Sequence, residues 1–158
     1  MLSNLTAAED VKIIVFQIED KEYAIPVSHV RGIEKVLHIT RVPKTVPFVK
    51  GVINLRGVIT PIIDLRARFG LEERPYTDRT RIIIVTLGDI EIGLITDSAN
   101  DVLDVPVNSI EPPPEVVGAI EAEYISGVAK IEKRLLILLN MEKILNPEEH
   151  ADLAGKEG

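Results

Sequence analysis

The sequence predicts an all-β protein made of two small barrels packed against each other. Three observations carry that expectation. Short runs rich in Ile, Val and Leu alternate with tight polar turns. The same order of runs and turns occurs twice along the chain. No run has the length or spacing of a core helix, apart from a candidate over Asn140 to Leu145.

Val11 to Ile18 is an apolar run, Glu19 to Glu22 a charged turn, and Tyr23 to Val27 a second run, which together read as a hairpin. Ser28 is placed to cap one helical turn. Val30, Ile33 and Val36 continue the apolar pattern, and Pro43 and Pro47 break regular structure around Val42 to Val46. A second hairpin follows, with Gly51 to Ile53 and Val58 to Leu65 flanking the tip Asn54-Leu55-Arg56-Gly57. Leu65 and Phe69 are spaced as on a helical turn, and Glu72 to Arg79 is a charged loop.

Ile13 to Glu22 then matches Ile82 to Glu91 without a gap, an offset of 69 (82 − 13). Asp20 falls on Asp89 and Val36 on Val105. Gly51-Val52 matches Gly127-Val128, and Ile62 to Leu65 matches Leu138 to Met141, an offset of 76 (127 − 51). The extra seven residues (76 − 69) lie in the loop around Pro106 to Ser126, where Pro112-Pro113-Pro114 favours an extended spacer. This is the mark of an internal duplication. The first half is expected over residues 11–80 and the second over 81–146, with strand exchange between them open. Residues 1–10 and 147–158 are expected to be flexible ends. Closing short antiparallel strands into barrels removes exposed edges, and two barrels too thin to stand alone gain by packing together.

Composition narrows the function. The 158 residues carry a net charge of −7, which argues against a nucleic-acid surface and against docking on anionic lipid. There is no cysteine, so disulfides and thiolate chemistry are excluded. Met1 to Asp10 has neither a basic start nor an apolar run, and no apolar stretch approaches the ~20 residues that span a bilayer. A cytoplasmic location is expected. His29, His38 and His150 have no partners at ligand spacing, so no metal or catalytic role is assigned to them. Asp64, Asp97, Asp101 and Asp104 follow apolar runs, but a paired-carboxylate site needs matching repeat positions. Asp64 falls on Asn140 and Asp97 on Ser28. There is no phosphate-binding glycine loop and no nucleophile elbow. No catalytic residue, cofactor or metal is expected.

The tip Asn54-Leu55-Arg56-Gly57, with Phe48, Gly51-Val52, Val58-Ile59 and Pro61 to Leu65 around it, resembles the signature of the CheW family of bacterial chemotaxis coupling proteins. The resemblance runs from about Val11 to about Leu145. It implies two five-stranded SH3-like barrels side by side. It implies a non-enzymatic adaptor whose partners are the cytoplasmic tip of methyl-accepting chemoreceptors and the regulatory domain of the histidine kinase CheA. Arg56 then takes the place of the family's receptor-coupling arginine, beside Asn54. A groove between the barrels is expected to take a receptor helix, with Val27, Ile33, Ile95 and Val102 among its lining residues. The surface around Val30 and Arg31 is expected to face the kinase. The repeat does not preserve this tip, because its counterpart reads Lys130-Ile131-Glu132-Lys133. Two other readings stay open at this level. One is a stand-alone regulatory module holding a small ligand between its barrels. The other is a hydrolase using carboxylates.

Overall fold

The computed structural model describes residues 9–41, 48–113, 122–145 and 149. The first half supplies β1 (Asp10–Ile18), β2 (Lys21–Pro26), β3 (Val30–Lys35), β4 (Val49–Leu55), β5 (Val58–Asp64) and the one-turn helix α1 (Leu65–Arg68). The second supplies β6 (Arg81–Leu87), β7 (Ile90–Thr96), β8 (Ser98–Pro106), β9 (Ile110–Glu111), β10 (Ile125–Ile131) and β11 (Arg134–Leu139). The strands form two sheets, in the orders β8-β1-β2-β11-β10-β9 and β3-β6-β7-β5-β4. The fold is all-β. The candidate helix after Asn140 is a single 3-10 turn, Met141–Lys143. A similar turn spans Val27–His29, with Pro26 at its N-cap and no side-chain cap, so Ser28 lies inside the turn and does not start it. Residues 42–47, and nearly all of 1–10 and 147–158, lie outside the described residues.

Each sheet draws on both halves, and the exchange is reciprocal. β3 pairs with β6, while its repeat counterpart β8 pairs with β1. The hairpin β4–β5 joins β7 through a parallel pairing with β5, and its counterpart β10–β11 joins β2 the same way. The chain crosses between sheets at two equivalent places, the 3-10 turn around Ser28 and the single residue Asp97.

Both sheets also close at the same repeat position. Past β3, Thr40 returns to bridge Val52 on the opposite edge strand, with a pair of 2.8 Å backbone hydrogen bonds. Past β8, Glu111 of β9 pairs with Val128, the counterpart of Val52. The residue before each, Gly51 or Gly127, gives the incoming backbone room. A Cβ on Gly51 would lie 2.1 Å from the Thr40 carbonyl oxygen, and one on Gly127 2.9 Å from that of Glu111. The Gly-Val pairs legible in the sequence are therefore barrel-closure sites.

The apolar side chains sort into three clusters. Ile13, Val15, Ala24, Val105, Ala129, Leu136 and Leu138 fill one sheet. Ile53, Ile62, Ile82, Ile84 and Ile95 fill the other. The largest cluster lies between the sheets and takes alternate residues from both, such as Ile14, Phe16 and Tyr23 against Ile83, Val85 and Ile92. Each of these pairs is related by the repeat offset of 69. Strands such as β6 are buried on both faces, which explains why Ile82 to Val85 reads as an unbroken apolar run. Phe16, Tyr23, Phe69 and Tyr124 form a chain of ring contacts through this middle layer, with centroids 5.5–6.0 Å apart. Burial, with Asp20 and Glu19 nearby, pushes the Tyr23 hydroxyl up to about 12. The Arg68 guanidinium sits over Phe48, 4.2 Å from the ring centroid, and makes a two-pronged ion pair with Glu149.

Asp64 caps α1, its Oδ1 accepting from the Arg66 N–H at 2.9 Å. Its counterpart Asn140 caps the equivalent turn, accepting from the Glu142 N–H at 3.1 Å. The duplication therefore holds a charged and a neutral side chain in the same cap.

Two outcomes follow from this layout. Gly51→Ala should lower unfolding stability by about 3 kcal/mol in a denaturant titration, since the clash is with backbone that cannot swing away. Burial pushes the Asp64 carboxyl above the ordinary aspartate range, an effect the Arg66 N–H and Lys50 only partly offset. A raised folded-state pKa means that Asp64 costs stability once pH rises through that value, and costs nothing where it is protonated in both states. Asp64→Asn should therefore raise stability at pH 7, and the gain should vanish as pH is lowered below about 4. Denaturant midpoints measured across that range check it.

Candidate functional site

The tip between β4 and β5 is a two-residue turn. Arg56 (φ 53°) and Gly57 (φ 87°) both take the left-handed conformation, as the twist of a tight hairpin requires. Asn54 Oδ1 accepts from the Gly57 N–H at 2.8 Å and fixes the turn. Asn54 thus acts as a brace, while the conformational freedom is needed at Arg56 itself. The repeat keeps the first of these two conformations, with Glu132 at φ 55°, but not the second, since Lys133 in the place of Gly57 does not have a positive φ.

Arg56 projects outward, its side chain 78% exposed, with one long contact of 3.4 Å from Nη2 to Glu34 Oε2. Glu34 is on β3, so the contact bridges strands at opposite edges of the sheet order, across the closure. Val58 and Ile59 continue from the tip and are half exposed, at 54% and 50%. The matching place in the second half is different. Arg134 occupies the position of Val58 and is matched by Glu22 (3.0 and 2.8 Å) and Asp101 (3.0 Å). One tip presents a cation beside open apolar side chains, and the other a satisfied ion network.

The other expected site residues separate by burial. Ile33 and Val102 are exposed and are repeat counterparts, on the edge strands β3 and β8 of different sheets. Arg31 is exposed, its Nε donating to Thr86 Oγ1 at 2.9 Å. Val27 and Val30 are half-buried against the middle core. Ile95 is corrected outright. It is 4% exposed and belongs to the interior cluster of its sheet, because β7 is a central strand covered on both faces. Among the described residues the facing surfaces of the two sheets are filled by the middle core, with Val27 and Val30 packed at its margin.

The carboxylates that follow apolar runs have structural partners. Asp104 pairs with Lys12 at 3.2 Å and Asp101 with Arg134. Asp97 holds Arg66, whose Nε and Nη2 donate to its two oxygens at 2.9 and 2.6 Å. Arg66 Nη1 donates to Glu19 Oε1 at 2.5 Å and to the Glu72 carbonyl at 3.1 Å. Asp97 also accepts from the Glu19 N–H at 2.8 Å. These hydrogen bonds hold the Arg66 proton more firmly than an ordinary guanidinium's, despite its burial. Arg66 thereby ties α1 to the β1–β2 turn and to the crossing residue between the sheets. Local sequence pattern does not single it out. The available signal was repeat mismatch, since Arg66 falls on Glu142, Glu19 on Gly88 and Asp97 on Ser28. Among the described residues no group of three or more His, Asp or Glu gathers as metal ligands. No helix among them is long and apolar enough to cross a membrane.

Comparison with known proteins agrees with this architecture. The CheW-like domain model matches residues 12–149. The chemotaxis protein CheW of Bacillus subtilis is 49% identical over 137 residues, covering 87% of this chain and 88% of that protein. That of Klebsiella aerogenes is 38% identical, covering 87% and 83%. The crystal structure of the scaffolding protein TtCheW from Thermoanaerobacter tengcongensis superposes with a TM-score of 0.81 at 36% identity, covering 89% of this chain and 90% of that one. With the duplicated sheets and the Asn-Leu-Arg-Gly tip already in place, these matches make the chain a member of the CheW family of chemotaxis proteins.

Proposed function

We propose that the chain is a non-enzymatic scaffold that couples the cytoplasmic tips of chemoreceptors to the regulatory domain of the histidine kinase CheA. The observation that carries this reading is the contrast between the two hairpin tips. The hairpin is duplicated, with the left-handed residue at Arg56 and at Glu132, yet only the first tip leaves a guanidinium in solvent with Val58 and Ile59 open beside it. Arginine flanked by apolar side chains is a common anchor in protein interfaces, because its planar fork binds a carboxylate or carbonyl while its stem packs. Arg56, Asn54 and the exposed Ile33 and Val102 are assigned to the receptor, and Arg31 with the rim of Val30 to the kinase. Holding both partners on one rigid body raises their effective concentration. Ligand state at the receptor would reach the kinase by favouring one of two arrangements of the complex. Catalysis would belong to the kinase, and the protein would work in the cytoplasm.

A module that holds a small ligand between its barrels has less support, because aliphatic and aromatic side chains occupy that space. A hydrolase has less still. The carboxylates it needs are engaged by Arg66, Arg134 and Lys12.

Capture assays with purified kinase and a soluble receptor fragment test the scaffold reading. Arg56→Ala should weaken receptor capture by about tenfold and leave kinase capture in place, the loss typical of one interface anchor. Arg31→Glu should do the reverse. Val30 is the poorer probe, because a charge there would also disturb the middle core. Unchanged capture of both partners by both variants would refute the assignment.

A further inference from the structure

The fold makes the same surface cleft twice. Gln17, Glu19 and Arg66 line a cleft of about 480 Å³. Their repeat counterparts Thr86, Gly88 and Glu142 line another of about 350 Å³. The second is finished with apolar side chains, Leu87, Met141 and Leu145. The first is finished by the loop between the halves, which brings Arg74, Thr77, Arg79 and Thr80 to its wall. A scaffold that tolerates an apolar lining in one copy does not need three arginines in the other.

We propose that the first cleft is a binding site for a phosphate group, free or as a monoester. The charges within it are unevenly spent. Arg66 is fully engaged by Asp97, Glu19 and the Glu72 carbonyl. Arg74 is drawn in by Glu19 at 3.5 Å, too far for a strong charge-assisted bond, and most of its fork stays open. Among the described residues Arg79 has no ion pair. With Glu19 and Asp97 set against three guanidinium groups, the cleft keeps one net positive charge, in a chain whose net charge is −7. The hydroxyls add directed donors. Thr80 Oγ1 accepts from the Thr77 N–H at 2.9 Å, and Thr77 Oγ1 accepts from the Arg79 N–H at 3.1 Å. Each hydroxyl oxygen is fixed by that bond and keeps its own hydrogen to donate. One guanidinium fork without an ion pair, a second held only by a long contact, and two oriented hydroxyls around one cavity match a tetrahedral oxyanion better than a planar carboxylate, which needs a single fork. The site lies where the inter-half loop meets the crossing residue Asp97. A bound anion would therefore pin the loop to both sheets.

This site is independent of the scaffold reading, since its test needs neither kinase nor receptor. The full chain is titrated at low salt with inorganic phosphate and with phosphoserine, and with acetate and chloride at matched ionic strength. Amide resonances are followed by NMR. Phosphate should shift the Thr77, Arg79 and Thr80 amides saturably, while acetate and chloride should not. The double substitution Arg74→Ala with Arg79→Ala should weaken binding by at least about tenfold. Both side chains are on the exposed loop, so circular dichroism should be unchanged. Tighter binding of phosphoserine would identify an esterified ligand, and equal or weaker binding a free one. The proposal fails if phosphate gives no saturable shift, if chloride or acetate reproduces it, or if the double variant binds like the parent.

Discussion

The reciprocal exchange of β3 and β8 is the constraint on which the rest depends. Neither sheet can be completed with strands from its own half. β6–β7 has no edge partner until β3 arrives from the first half, and β1–β2 has none until β8 arrives from the second. The two parallel pairings, β5 with β7 and β2 with β11, then lock each remaining hairpin onto a strand of the other half. Unpaired edges are the usual liability of small sheets. Here exchange and closure remove them together. The same exchange forces the chain across the inter-sheet layer twice, so the middle core is the largest apolar cluster and the halves stabilise one another. Most contacts are distant in sequence, which favours a slow and highly cooperative folding reaction.

Once that constraint is met twice, the duplication can relax wherever backbone pairing does not depend on the side chain. The structure separates the two classes. Positions that close the barrels or fill the middle layer keep their character across the repeat, as with Gly51 and Gly127, Ile14 and Ile83, or Ile63 and Leu139. Positions at the turn tips and at the sheet crossings have diverged. Arg56 faces Glu132, Val58 faces Arg134, and Asp97 faces Ser28. The Arg66 clasp exists in one copy only. It is a buried ion pair whose desolvation is offset by four hydrogen bonds to two carboxylates and a carbonyl, so its worth lies more in fixing the crossing than in net stability.

Much of this was legible in the sequence. The hairpins, the two offsets, the Gly-Val pairs and the tip motif each rest on local pattern, and local pattern survives in a single sequence. Strand exchange was not legible, because β3 is equally apolar whether it pairs within its half or outside it. The mistaken placement of Ile95 has the same root. Period-two reading cannot tell an outward face from a face turned to a second core when the strand is buried on both sides. The clasp was missed because Arg66 stands among Arg68 and Phe69 in what looks like an ordinary amphipathic turn. Its partners are 31 and 47 positions away. Only the failure of the repeat at Arg66, Glu19 and Asp97 together pointed to them.

That failure of symmetry is the more general guide to function in a duplicated fold. A repeat-preserved residue has a sufficient explanation in the scaffold, since the same packing problem is solved twice. A residue that breaks the repeat on a preserved backbone does not. Arg56 and Arg66 belong to this second class, on the β4–β5 turn and on α1, while Arg74 and Arg79 of the cleft come from the loop between the halves. Strand pairings that join the halves hold the sheet carrying the β4–β5 turn and the crossing at Asp97 in one body. A protein whose work is to hold partners in a set geometry gains from that stiffness more than from any reactive group.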